Sequence, residues 1–170
     1  ELKQDNKIIS IEPDADSLKV DFQLVYSNQI IGKQSNKINF ADTDLTAVYT
    51  SRTFCLYEDI EKIKKIGLAK GGSLENAIVV KNDKILNEEG LRNKKEFVNH
   101  KILDLAGDFL LSGYRILGNV KCNQGGHSLS NLFLRAIFKD QSNYIITEVE
   151  DSILTNNHFK ISTNKLAVNV

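Results

Sequence analysis

The chain has 170 residues, of which 41% are hydrophobic and 26% are charged, a composition typical of folded globular proteins and not of disordered ones. Its 22 basic and 22 acidic residues balance, and no basic cluster with interleaved aromatic side chains occurs, which argues against a nucleic-acid partner and against any global attraction to an anionic membrane. No apolar run approaches the roughly 18–20 residues of a membrane span, so we expect none.

Two residue types bear on the origin of the chain. Its two cysteines, Cys55 and Cys122, lack the spacing of a metal or redox motif, and we interpret them as free thiols. Free thiols favour a reducing compartment, so we expect a cytoplasmic protein. The sequence contains no methionine, and because translation begins with methionine we expect a processed product or a piece of a longer chain.

The first third of the chain has the alternation of an antiparallel sheet. Three strands are predicted there, at 8–12, 18–26 and 36–40, with a turn at 13–16 and a loop at 27–36. In the second strand every other residue from Leu18 to Leu24 is apolar, which indicates one covered face and one face in water.

The middle of the chain predicts a small appendage. Residues 49–54 are mostly β-prone, and apolar residues at helical spacing predict a helix over 58–66 that Gly67 ends. Beyond it we predict a turn at Gly71-Gly72, a helical turn capped by Ser73, a strongly apolar strand at 77–80 and a short strand at 84–86. This pattern is typical of a β-α-β unit or a hairpin.

The longest helix is predicted over 94–111, where apolar residues cover most of the circumference and indicate burial on nearly all sides. One polar stripe interrupts it, because His100, Asp104 and Asp108 are spaced four residues apart and lie along one face. Burying an unpaired ionised group is costly, so such side chains are normally paired, hydrogen-bonded or bound to a metal.

The remaining elements complete a two-layer arrangement. We predict a strand over 114–122 interrupted by Gly118, a glycine-rich loop at 123–126, and an amphipathic helix over 128–138. Farther on, weak alternation occurs at 144–149 and 159–161, near His158. Together the elements predict an α+β fold, in which two main helices pack on one face of an antiparallel or mixed sheet beside the small β-α-β appendage.

The polar stripe allows metal chemistry. His100 and Asp104, one helical turn apart, can share one zinc ion, although a catalytic zinc normally takes three protein ligands. His127 follows two glycines and can act as an acid or a base, with Asp108 fixing its tautomer.

A structural interpretation competes with this one. The stripe can be a polar helix face paired with neighbouring side chains, His127 an ordinary loop residue, and Lys101 a solvated lysine. Thr53 and Phe54 would then only end a strand. The corresponding function is a non-catalytic module whose appendage binds an acyl chain or a protein.

Several segments resemble one enzyme family in the same order and spacing: RTF (52–54), DIE (59–61), GGS and AIVV (71–73 and 77–80), LNEEGLR (86–92), FVNHKILDLAGD (97–108) and GGHSLSN (125–131). They resemble UDP-3-O-acyl-N-acetylglucosamine deacetylase, a zinc amidase that carries out the committed step of lipid A synthesis in Gram-negative bacteria. The resemblance covers roughly residues 51–138. It implies that the whole chain, 1–170, is the second (C-terminal) domain of a two-domain enzyme, with the first domain absent.

The resemblance also assigns catalytic roles. It implies that His100 and Asp104 are two of three zinc ligands, and that the third, a histidine, and the glutamate base next to it belong to the absent first domain. His127 would stabilise the oxyanion and assist the leaving amine, Asp108 would orient it, and Thr53 would help to hold the tetrahedral intermediate. With half of the site missing, we expect this fragment alone to be inactive and to bind zinc weakly.

Substrate contacts follow from the same resemblance. Phe54 and Lys101 would contact the sugar nucleotide, and the appendage at about 67–90 would form a tunnel for the acyl chain. The residues implied to line this tunnel are Ile60, Ala69, Ser73, Ala77 and Val79. The chain departs from the family pattern at Cys55, where a glycine is expected, and at Gln124, near which a basic residue often stands.

Overall fold

Two sheets and a helical layer form the structure, a computed structural model that describes residues 1–42 and 44–148. The described part of the chain contains the strands β1 (Leu2–Gln4), β2 (Lys7–Pro13), β3 (Leu18–Val25), β4 (Lys33–Asn39), β5 (Thr53–Leu56), β6 (Ala77–Lys81), β7 (Lys84–Ile85) and β8 (Gly118–Asn123). Its α-helices are α1 (Thr46–Tyr49), α2 (Ile60–Lys65), α3 (Glu96–Leu110) and α4 (His127–Phe138). The prediction of a two-layer α+β fold is confirmed.

The larger sheet has the strand order β1-β2-β8-β3-β4, in which β3 and β8 are parallel and the other neighbours antiparallel. Its buried face lies under α3 and α4, and the predicted alternation of β3 supplies Val20, Phe22 and Leu24 to that face. In the register, Val120 and Cys122 of β8 lie directly beside Val20 and Phe22. The apolar residues of both strands therefore enter one core.

The turn at 13–16 does not join neighbouring strands, because β8 lies between β2 and β3. The Asp14 carboxylate holds this wide connection by accepting hydrogen bonds from the backbone N–H groups of Asp16 (3.0 Å) and Ser17 (3.2 Å) and from Lys19 Nζ (2.6 Å). It also accepts one from Asn119 of the inserted strand (3.1 Å). The bond from Lys19, followed by those from the backbone of Asp16 and Ser17, holds the pKa of Asp14 well below its usual range.

The appendage is both a β-α-β unit and a hairpin. Strands β5 and β6 are parallel and joined through α2, and β7 pairs antiparallel with β6. The unit therefore begins at Thr53, earlier than the predicted 67–90. Buried Asn87 closes it, since its side-chain oxygen accepts from the Val79 N–H (3.0 Å) and its nitrogen donates to the carbonyls of Leu74 (2.6 Å) and Ala77 (2.8 Å).

Some predicted boundaries were wrong at edges and ends. Strand β1 was not predicted, and β4 includes residues 33–36, predicted as loop, because ladder hydrogen bonds along an edge tolerate polar side chains. Residues 114–117 are not a strand. Helix α3 is buried or half-buried from residue 96 to residue 106, as predicted, but its C-terminal end is not, since Leu110 and the following Leu111 are 71% and 77% exposed.

The end of the chain is described only in part. Residues 144–148 have no regular structure, and the alternation at 159–161 and His158 lie outside the described residues. In the described ranges, no helix combines the length and the apolar character needed to cross a membrane.

A buried ion pair joins the appendage to α3. Glu96 is fully buried and accepts hydrogen bonds from the Arg52 backbone N–H (3.1 Å), from Arg52 Nε (2.9 Å) and from the Arg92 backbone N–H (2.6 Å). Arg52 also donates to the Gly90 carbonyl (2.7 Å) and pairs with Glu89. Burial by itself raises the pKa of Glu96, but the hydrogen bonds outweigh it and the pKa lies below its ordinary value.

Replacing Glu96 by Gln tests this pair. Removing the Glu96 charge leaves buried Arg52 with only Glu89, which is 54% exposed, as its ionic partner, so we expect the free energy of unfolding at pH 7 to fall by about 3 kcal/mol. Because the folded pKa of Glu96 is lowered, its stabilisation is fully present above pH 4.5, its ordinary value, and is lost as the pH falls through the folded pKa. Urea denaturation at a series of pH values should therefore show that the difference in unfolding free energy between the parent chain and the Gln variant becomes smaller in acid. The control is Glu88→Gln, an exposed site, with an expected change below about 0.5 kcal/mol. A difference independent of pH would contradict the assignment.

Candidate functional site

The polar stripe of α3 begins with a histidine that has two different neighbours. His100 Nδ1 lies 3.3 Å from the Ser51 carbonyl oxygen, and Nε2 lies 3.2 Å from Asp104 Oδ1. Because a carbonyl oxygen only accepts, Nδ1 carries the proton of the neutral ring. Nε2 then presents its lone pair to a carboxylate.

The electrostatics favour that neutral ring. Burial lowers the pKa of His100, and the nearby Asp104 carboxylate opposes this shift without cancelling it. Two acceptors thus face each other, an arrangement that a shared cation stabilises. Imidazole nitrogen and carboxylate oxygen are both ligands that zinc takes. Among the residues the structure describes, no third histidine, cysteine or acidic side chain completes a metal site with them.

A second pair lies beside the first. His127, the first residue of α4, is exposed, and its Nδ1 lies 2.9 and 3.0 Å from the two carboxylate oxygens of Asp108. Its Nε2 lies 4.0 Å from Asp104 Oδ2. The two predicted histidines are thus brought to one place, with Asp104 between them. Asp108 orients the His127 ring by holding Nδ1, which leaves Nε2 available for proton transfer.

The loop before His127 is held by close packing. A Cβ atom on Gly125 would lie 2.3 Å from Cys122 Sγ and 3.2 Å from the Phe22 ring, so only glycine fits there. Gln124 has a φ of 59°, and its side chain accepts from the Val25 N–H (2.9 Å) and donates to the Val25 carbonyl (2.6 Å). Gln124, which departs from the family pattern, therefore fixes the loop to β3.

The other predicted contact residues lie around the same stripe. Thr53 is exposed at the start of β5, and the Phe54 ring centroid lies 6.4 Å from that of His100. Lys101 Nζ donates to Asp104 Oδ2 (3.0 Å) and lies 5.8 Å from the Phe54 ring centroid. Lys101 is accordingly not a free solvated lysine.

An apolar groove of about 590 Å³ adjoins these residues. Thr53 and Phe54 line it. All five predicted tunnel residues also line it, namely Ile60, Ala69, Ser73, Ala77 and Val79. Cys55 lines it as a free thiol, and Cys122 is the other free cysteine, as predicted. Ile63 and Leu74 also contribute but were not singled out from the sequence. Ile63 lies three residues after Ile60, so helical spacing already placed both on one face.

Comparison with known proteins agrees with the family resemblance seen in the sequence. The family model described as LpxC, UDP-3-O-acyl N-acetylglycosamine deacetylase, matches residues 1–139. The UDP-3-O-acyl-N-acetylglucosamine deacetylases of Campylobacter jejuni strain RM1221 and Helicobacter pylori strain 26695 are each 38% identical to this chain, over 151 and 152 residues. These alignments cover 88% and 89% of this chain and 51% of each relative. The chain therefore spans about half the length of the curated relatives it matches.

The glycine pair before His127 provides a test of the loop. Gly125→Ala forces a methyl group into Cys122 and Phe22, so we expect it to lower the free energy of unfolding by about 2–3 kcal/mol. Gly126→Ala is the matched control, because no atom lies within 4 Å of the new Cβ and the backbone there is extended. Adding Cys122→Ala to Gly125→Ala should recover part of the loss in a denaturation experiment. Equal effects of the two single substitutions would contradict the packing argument.

Proposed function

This chain belongs to the UDP-3-O-acyl N-acetylglycosamine deacetylase family, and from that premise we propose that it supplies half of a zinc-dependent amidohydrolase. The enzyme would remove the N-acetyl group of UDP-3-O-acyl-N-acetylglucosamine, the committed step of lipid A synthesis. One observation carries the proposal: the His100–Asp104 and His127–Asp108 pairs meet beside an apolar groove. A nucleotide-sugar substrate agrees with a cytoplasmic location.

His100 and Asp104 would hold the zinc ion through Nε2 and a carboxylate oxygen. The third ligand and the general base would come from the part of the relatives' length that this chain does not span, so that this chain is the second domain. When bound, zinc supplies a Lewis acid that polarises a carbonyl group and makes water a better nucleophile. The Ser51 carbonyl supports this role, because it fixes the proton of His100 on Nδ1.

The remaining side chains act on the acetamide itself. The Thr53 hydroxyl donates to the oxyanion that forms when the carbonyl is attacked. Charged His127, held through Nδ1 by Asp108, stabilises the same charge and passes the Nε2 proton to the leaving amine. Phe54 and Lys101 position the sugar nucleotide, and the groove takes the acyl chain. The reactants that the hydrolysis consumes are the substrate and one water molecule.

A non-catalytic binding module is the second candidate, and one observation favours it. Both carboxylates of the stripe are already hydrogen-bonded, Asp104 to Lys101 and Asp108 to His127, so among the described residues each has a donor without a metal. The apolar groove would then bind an acyl chain or a protein segment without chemistry.

Metal content and turnover separate the two candidates. In the protein extended to the full length of its relatives, we expect His100→Ala and Asp104→Ala each to remove bound zinc and abolish acetate release. His127→Ala should keep zinc but lower kcat by about 10²–10⁴-fold, since it leaves both zinc ligands in place and removes the group that stabilises the oxyanion and protonates the leaving amine. Asp21→Ala, on the open face of β3, is the matched control and should change neither quantity. Unchanged zinc and activity in the two ligand variants would support the binding module.

The half-site itself makes a separate prediction. The 170-residue chain alone should release no acetate and should bind zinc more weakly than the extended protein, because two of three ligands are present. Turnover by the chain alone at the rate of the extended protein would contradict this.

The acyl groove can be tested through its own thiol. Cys55 lines the groove, whereas Cys122 is buried and its pKa is raised by that burial to about 12. A maleimide should therefore modify Cys55 first, and the acylated substrate should slow this reaction by covering the thiol. UDP-N-acetylglucosamine, which has no acyl chain, should not slow it, and Cys55→Ser should remove the fast reaction. Equal protection by the two nucleotides would place the acyl chain elsewhere.

A further inference from the structure

The end of the appendage has no buried side chain. From residue 64 to residue 76, which we call the appendage tip, every residue is exposed. Ile66, Leu68 and Leu74 are 71%, 59% and 48% exposed. Leu74 also lines the apolar groove, but Ile66 and Leu68 do not. Single exposed apolar residues are ordinary on protein surfaces, whereas two large ones within one short segment indicate a surface that contacts something apolar.

The appendage tip has a defined backbone. The Leu68 N–H donates to the Ile63 carbonyl (3.1 Å), the Gly72 N–H to the Ala69 carbonyl (3.0 Å), and the Ala77 N–H to the Ser73 carbonyl (3.0 Å). These consecutive turns hold the projection in shape while its side chains remain outside. The apolar residues are therefore displayed by an ordered segment.

The appendage tip is also cationic in a chain whose total charge is zero. It contains Lys64, Lys65 and Lys70 but only one acid, Glu75. None of the three lysines forms an ion pair with another described residue, whereas Lys62, just before the tip, pairs with Asp59 at 3.0 Å. Lysines without ion pairs among the described residues thus lie in the same segment as the exposed apolar side chains.

We propose that the appendage tip docks on an anionic phospholipid bilayer. Ile66 and Leu68 would enter the interfacial region, and the lysines would contact lipid phosphates. Apolar residues mixed with lysines are typical of segments that lie in a membrane interface. A protein partner fits less well, because protein interfaces are depleted in lysine and enriched in aromatic residues and arginine, of which the tip has none.

The appendage tip adjoins the apolar groove, which relates the docking to substrate binding. Lys64, Ala69 and Leu74 of the tip also line the apolar groove, so a bilayer at the tip would adjoin one part of the groove. An acyl chain lodged in the bilayer could enter the groove without crossing water. This last step rests on the proposed function, whereas the docking does not.

Flotation with lipid vesicles tests the docking on the 170-residue chain. We expect binding to vesicles of phosphatidylglycerol and phosphatidylcholine, weaker binding to phosphatidylcholine alone, and a decrease as salt is raised. Each lysine near an anionic surface contributes about a fivefold change in affinity, so Lys64→Gln, Lys65→Gln and Lys70→Gln together should weaken binding by at least about tenfold. Ile66→Ser with Leu68→Ser should also weaken it, including at high salt.

Matched variants outside the tip control for a general loss of positive charge or of exposed apolar side chains. Lys33→Gln, Lys37→Gln and Lys121→Gln together remove the same charge from the open sheet face. Leu110→Ser with Leu111→Ser removes two exposed apolar side chains at the C-terminal end of α3. Both sets should bind as the parent chain does, with unchanged circular dichroism. Absence of binding, equal losses in tip and control variants, or a tip-dependent dimer in sedimentation without vesicles would overturn the proposal. The assay contains neither substrate nor zinc, so its outcome is independent of any deacetylase result.

Discussion

The carboxylate of Glu96 is fully buried and accepts four hydrogen bonds, three of them from Arg52. Arg52 directly precedes Thr53, and Glu96 lies one helical turn before His100, so this pair fixes the distance between the strand and the helix that carry the site. The Ser51 carbonyl, next to Arg52, then meets the His100 ring. The geometry of the polar stripe therefore depends on an interaction outside it.

Such a pair is not the most stable way to fill a core. Two well-packed apolar side chains of similar volume are often as stabilising or more so, because they avoid the cost of removing charges from water. The ion pair differs in being directional. Two of its hydrogen bonds come from the backbone N–H groups of Arg52 and Arg92, which an apolar contact cannot bind. A shift of α3 along β5 would break them, so the pair specifies register where apolar packing would tolerate sliding.

Periodicity accounts for what the sequence could predict. Helices α3 and α4 and the alternation of β3 follow from local spacing, as does the alignment of His100, Asp104 and Asp108 on one face. The insertion of β8 between β2 and β3 could not be read locally, because strand order depends on contacts over about a hundred residues. The exposure of Leu110 could not be predicted locally either, because the sequence at a helix end is the same whether or not another element packs on the apolar residue. The meeting of His127 with Asp108 was anticipated from chemistry and family resemblance, not from spacing.

Burial changes abruptly within the appendage. Residues 77–80 are all buried, whereas residues 64–76 are all exposed. The first group lies on β6, against which β5 positions Thr53 and Phe54, so packing explains its apolar character. Packing does not explain the second group, because a side chain that remains in water contributes little to the free energy of folding. What distinguishes Ile66 and Leu68 from the equally exposed Leu110 and Leu111 is the company of three lysines, without ion pairs among the described residues, in the same segment, and the proposed bilayer contact uses both features.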